Sequence, residues 1–162
     1  MATTYLITEA EIKDICTAID QNIDPSFLNL YILAVQSNYV RPLLGKDLYN
    51  QIMTQAASNT LSTDNRTLVD LMKRPIAFWV WAESVWELTY RTTNAGVVAS
   101  ADDKFIVAEP HVIDAQMERY KNYAENWWNN DVKEYLCDNP SLYPLYASNI
   151  KNAFNSGYGL YF

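Results

Sequence analysis

The apolar positions of this chain fall into helical stripes separated by polar or proline-marked joints. Thr8 stands three residues before Glu11, flanked by Ile7 and Ile12, which is the pattern of a capping box with a hydrophobic staple. Ile12, Ile15, Cys16 and Ile19 follow at helical spacing. Asp24 then Pro25 marks a second start, with aspartate as the cap and proline in the first turn, where no N–H is needed. Its stripe is Leu28, Ile32, Val35 and Tyr39. This helix is expected to stop before Pro42, because proline disfavours helix in the residue ahead of it. Leu48, Tyr49, Ile52 and Met53 predict a third, shorter helix after Gly45.

Residues 57–65 read as a polar loop, with Asp64 as the cap of the next helix. That helix meets Pro75, where a kink or break is expected. From 76 to 92 the chain is apolar on most sides, through Phe78, Trp79, Trp81, Val85, Trp86, Leu88 and Tyr90, which predicts a central helix. Asn94, Ala95 and Gly96 would end it through a left-handed cap. Val97–Val98 and 105–107 flank Ala101 to Lys104, predicting a hairpin or extended loop over 96–109. Pro110 opens a long helix to about Cys137, closed by Asn139 and Pro140. These elements predict a mainly α fold: a single helical-bundle domain of about five helices over residues 1–140, with an extended C-terminal arm over 141–162.

One joint does not look like a surface turn. Arg41, Pro42, Leu43, Leu44 and Gly45 place two leucines where turns are ordinarily polar. They either fold back on their own helices or meet another subunit. Composition sharpens that choice. Of 162 residues, 14% are aromatic, including twelve Tyr and five Trp, more large surface than one small interior needs. The arm adds Leu142, Tyr143, Tyr146, Ile150, Phe154, Tyr158, Leu160, Tyr161 and Phe162.

A net charge of -7 argues against a nucleic-acid reader, which needs a basic patch to displace counterions, and the longest basic run is Lys73–Arg74. No basic start followed by an apolar run suggests a signal peptide, and the apolar stretch at 75–82 is too short to span a bilayer. Cys16 and Cys137 lie far apart on apolar helix positions and read as buried free thiols.

Candidate chemistry is sparse. His111 is the single histidine and has no ligand-spaced partner, so a surface role is expected. Glu83 and Glu87 lie four apart on the tryptophan helix, but bundle metal sites add Glu-x-x-His pairs that this chain lacks. A polar stripe is expected, with Glu87 reaching Arg91. Four glycines leave no phosphate-binding loop. Trp127 and Trp128 point about 100° apart on a helix, so one belongs to the core and the other meets a neighbouring segment or subunit. No catalytic residue, cofactor or metal is expected.

Residues 35–52 run into a Leu-Gly joint, the aromatic helix is followed by "TYRTTNAGVV", and a long helix leaves through "DNPSLYPLY" to a final "GYGLYF". This series, over roughly 35–162, resembles the small head–tail connector (adaptor) proteins of tailed bacteriophages, especially those of crAss-like and related phages. The resemblance implies a non-enzymatic virion protein, made in the host cytoplasm, that forms a homo-oligomeric ring of twelve below the portal protein. Such a ring docks the next tail component and passes DNA without binding it specifically. The implied subunit-interface residues are Leu43, Leu44, Tyr49, Trp128, Tyr143, Tyr146, Phe154, Tyr158, Tyr161 and Phe162. Asp102 and Asp103 would face the channel, where negative charge repels phosphate. A monomeric or dimeric helical module that binds protein or peptide is the alternative, and a small helical enzyme using Glu83 and Glu87 a third.

Overall fold

A computed structural model describes residues 3–16, 23–93, 96–99 and 109–146. Helix α1 (Glu9–Ile15) is followed by α2 (Pro25–Val35) and a π-helical segment π1 (Gln36–Val40), which runs directly into α3 (Arg41–Leu44). Then come α4 (Lys46–Ala57), α5 (Thr63–Thr89) and a hairpin of β1 (Tyr90–Thr93) and β2 (Gly96–Ala99). Helix α6 (Pro110–Trp127) continues through π2 (Trp128–Lys133) into α7 (Glu134–Asp138). The described chain is thus mainly α, in five continuous helical rods, and residues 144–146 are helical as well, where an extended arm was expected. The long α5 is the axis, packed by α6 along its length and by α1, α2 and π2.

Local capping chemistry sets several boundaries. The Thr8 hydroxyl accepts from Glu11 N–H while the Glu11 carboxylate accepts from Thr8 N–H at 2.9 Å, and Ile7 and Ile12 are buried beside the cap. Asp24 caps α2 by accepting from Ser26 N–H at 2.8 Å, with Pro25 in the first turn. Helix α4 ends in a Schellman motif. Asn59 takes a left-handed φ of 56°, and Thr60 N–H reaches the Gln55 carbonyl at 2.8 Å. Gly45 separates α3 from α4 at φ 82°, ψ 152°, a region only glycine enters without strain. Ser62, not Asp64, caps α5, its hydroxyl accepting from Asn65 N–H.

The second rod departs from expectation and does not stop before Pro42. In π1 the Gln36 carbonyl accepts from Arg41 N–H, five residues on, so this turn holds one residue more than an α-helical turn. The wider turn lies just ahead of the proline ring, which then sits in α3 with Pro42 exposed. The extra residue shifts the inward stripe. Spacing within α2 points to Tyr39 and then position 43, yet Val40 and Leu44 are the residues with no exposure, while Leu43 is 41% exposed. Leu28, Ile32, Gln36, Val40, Leu44, Leu48 and Ile52 form a run of buried positions four apart. Four residues overshoot a full α-helical turn by about 40°, and the π turn absorbs the drift. The same happens in the last rod, where Ala124, Trp128, Val132 and Leu136 are all buried and π2 lies among them.

Pro75 also fails to break its helix, since α5 runs unbroken through it and the ring is buried. The lost hydrogen bond is outweighed by packing on both sides, where Met72, Ile76 and Trp79 are enclosed. At its other end α5 stops at Thr89, earlier than expected. The backbone turns into a strand pairing Tyr90 with Ala99 and Thr93 with Gly96, so no helix reaches Asn94–Gly96 to be capped there. The hairpin therefore lies before 101–107. Residues 100–108, including Asp102 and Asp103, and the arm beyond 146 lie outside the described residues, as does Ile19.

Trp79 stands at the centre. Tyr39 of π1 stacks on it at 5.2 Å and Trp128 of π2 tilts against it at 5.7 Å, so both π segments supply an aromatic ring to one indole. Gln36, buried at the start of π1, accepts from Leu6 N–H at 2.7 Å and donates to the Thr4 carbonyl, which pins the N-terminal stretch onto the rod.

Candidate interaction surface

Helix α2 has two faces of unusual composition. Leu28, Ile32 and Val35 point inward and are fully buried. The other side carries Leu30, 66% exposed, and Leu33, 37% exposed, three residues apart on one face. Ser26 and Ser37 extend that exposed stripe, and no residue from Pro25 to Val40 is charged. A solvent-facing helix ordinarily alternates apolar and charged faces. This one presents large apolar side chains to water with no charge beside them in its own sequence.

A tyrosine–carboxylate seam fastens this helix in place. The Tyr31 hydroxyl donates to Glu87, and the Tyr39 hydroxyl donates to Glu83 at 2.6 Å. Lys121 of α6 pairs with Glu83 at 3.0 Å, so one half-buried carboxylate joins α2–π1, α5 and α6. Burial alone would raise the Glu83 pKa. The Tyr39 and Lys121 hydrogen bonds and the lysine charge outweigh it and hold Glu83 below the ordinary carboxylate value. Burial and the Glu83 hydrogen bond both push the Tyr39 hydroxyl up. Glu83 and Glu87 are thus each held by a tyrosine, and among the described residues no three His, Cys, Asp or Glu gather as a metal site requires. The expected Glu87–Arg91 pair involves an Arg91 side chain outside the described residues.

The interface residues expected from sequence divide sharply. Leu43 is exposed and Tyr49 half-buried. Leu44, Trp128, Tyr143 and Tyr146 are corrections, because the chain's own core encloses them. Leu44 and Trp128 are drawn inward by the π turns. Tyr143 is 2% exposed, rests on Tyr135 and donates from its hydroxyl to the Asp64 carbonyl at 2.8 Å, so the start of the arm docks on its own domain. Phe154, Tyr158, Tyr161 and Phe162 lie outside the described residues.

Of the tryptophan pair, Trp128 is core, while half-buried Trp127 lies under the Arg74 guanidinium of α5 at 4.2 Å. Cys16 is buried as expected, and burial pushes its thiol up to about 12, which leaves it unreactive. Cys137 corrects the other half of that expectation. It is exposed, beside Asn129, Asn130, Lys133 and Glu134, because the inward position of α7 belongs to Leu136. His111 is exposed and close to Glu109 at 3.2 Å. Leu30 and Leu33 escaped the sequence reading, although sixteen successive uncharged residues in an acidic chain were a visible signal.

The fold and this surface define a mainly α chain, and among its described residues no helix is long and apolar enough to cross a membrane. It belongs to a family of unknown function (DUF6712), whose model matches residues 40–156. No curated protein and no solved structure matches the chain.

Proposed function

We propose that this chain is a structural subunit that works by assembly, as a ring component of the phage head–tail connector that its sequence resembles. The observation that carries this reading is the uncharged outer face of α2, with Leu30 and Leu33 in water. Exposed apolar surface of this kind marks a site of association rather than a solvated wall. The core supports the reading as well. Trp79 and its neighbours form a packed interior that carries this surface on its outside. In the ring the chain extends the channel below the portal, docks the next tail component and lets DNA pass.

The test is a mass measurement, first of the chain alone and then mixed with the portal protein, followed by negative-stain imaging. A ring many times the 18.6 kDa chain, with twelve-fold symmetry, is expected in at least the second sample. A mass of one or two chains in both samples would overturn the proposal in favour of a monomeric or dimeric binding module.

A further inference from the structure

The exposed face of α2 has a counterpart in the same sequence. Residues 147–162 contain one charged side chain, Lys151, and carry Ile150, Phe154, Tyr158, Leu160, Tyr161 and Phe162. In a chain of net charge -7, these are two stretches that can be taken out of water with a single charged side chain, Lys151, left to reach solvent. The outer face of α2 lies ahead of the family match at 40–156, and residues 157–162 lie beyond it.

Their positions decide whether the contact is made within one copy or between two. Tyr143 ties the last described stretch to Asp64, at the beginning of α5. Tyr31, next to Leu30, is tied to Glu87, near the end of α5. The two ends of that helix are about 35 Å apart at about 1.5 Å per residue. An extended chain covers about 3.3–3.6 Å per residue, so about ten residues after Tyr146 would be taken up in bridging the gap within one copy. Ile150 and Phe154 would then lie along the way, and little more than Tyr158 to Phe162 would arrive. A neighbouring copy needs no such span and can offer all six apolar side chains.

We infer that the outer face of α2 is the seat for residues 147–162 of a second copy of this chain, so that copies join head to tail. This rests on the reading of the chain as an assembly subunit and names its contact. A head-to-tail contact uses two different surfaces, and repeated it either closes into a ring or runs on as a filament.

The test uses two full-length variants, a face variant (Leu30→Glu with Leu33→Glu) and a tail variant (Phe154→Glu with Tyr161→Glu). None of the four changes touches the described core, and far-UV circular dichroism checks that each remains helical. Should the face variant lose its helical signal, Leu30→Ser with Leu33→Ser takes its place. Each variant alone is expected to run at 18.6 kDa where the unsubstituted chain runs larger. Mixed in equal amounts, they should form a two-chain species, since the intact tail of one fits the intact face of the other. If the unsubstituted chain associates but the mixture stays at one-chain mass, or if either variant assembles normally, the inference fails while the assembly reading stands. An unsubstituted chain that stays single at high concentration also overturns the inference, and the portal experiment then decides the broader reading by itself.

Discussion

Leu43 and Leu44 are adjacent and chemically identical, and the structure separates them by one residue of helical register. Leu43→Ala and Leu44→Ala therefore remove the same atoms from opposite environments. Leu44 has no exposure, so its truncation loses the transfer free energy of the side chain and leaves a cavity, together about 2–5 kcal/mol. Leu43 is 41% exposed; its truncation leaves no enclosed void and should cost less than about 1 kcal/mol. For a chain of this size each kcal/mol moves the melting midpoint by about 2–4 °C. A mid-range loss of about 3 kcal/mol at Leu44 thus lowers it by about 6–12 °C, against no more than about 4 °C at Leu43. The assay is thermal unfolding followed by circular dichroism at low protein concentration, where association adds nothing to stability. Urea unfolding with unchanged m-values confirms that the native state is what changed. Equal losses at the two positions, or a larger loss at Leu43, would refute the π turn in Gln36–Val40 as the device that turns Leu44 inward.

Two further outcomes follow from the seam and the arm. Glu83 is held below the ordinary carboxylate value, so its contribution to stability is fully present above its unfolded pKa and lost as pH falls through the lower folded one. Glu83→Gln should then be less stable than the parent by about 1 kcal/mol at neutral pH. That gap should narrow as pH falls below the ordinary carboxylate range, as read from urea midpoints at neutral and acid pH, and a gap that does not change with pH would refute the charge as its source. Tyr143→Phe keeps the ring in the core but removes the bond to the Asp64 carbonyl, and should lower stability by about 0.5–1.5 kcal/mol. No change in melting would show that the hydroxyl does not fasten the arm.

What could be read from sequence was what neighbouring residues decide among themselves. The Thr8–Glu11 box, the Asp24–Pro25 start and the stop at Asn139–Pro140 involve partners within a few positions, and each stands where expected. The misjudged points depend on distant groups. Proline at 42 and 75 has a strong local preference against helix, yet the π turn ahead of Pro42 and the core packed around Pro75 override it. The Tyr39–Glu83 bond joins residues 44 apart, and Lys121 comes from a third helix, so no window of sequence contains the seam. The strand at Tyr90 was hidden because an aromatic residue extends a helical stripe as readily as it begins a hairpin. Four-residue spacing of the buried positions from Leu28 to Ile52 was legible in principle, since an α-helical stripe mixes threes and fours.

Chain length, rather than side-chain identity, is what the two π turns hold in reserve. Loss of a single residue ordinarily wrecks a packed helix, because everything beyond the gap turns by about 100° against its partners. Here each π turn already carries one residue in excess, with Ser37 and Asn38 in the first and Asn129 and Asn130 in the second exposed to solvent. Removing Asn38 would let the turn relax to an ordinary α-helical one while Leu28 and Leu44 keep their places, and removing Asn130 would do the same between Trp128 and Leu136. These are the places where the chain can be shortened by one, in the laboratory or by natural deletion, with its core in register.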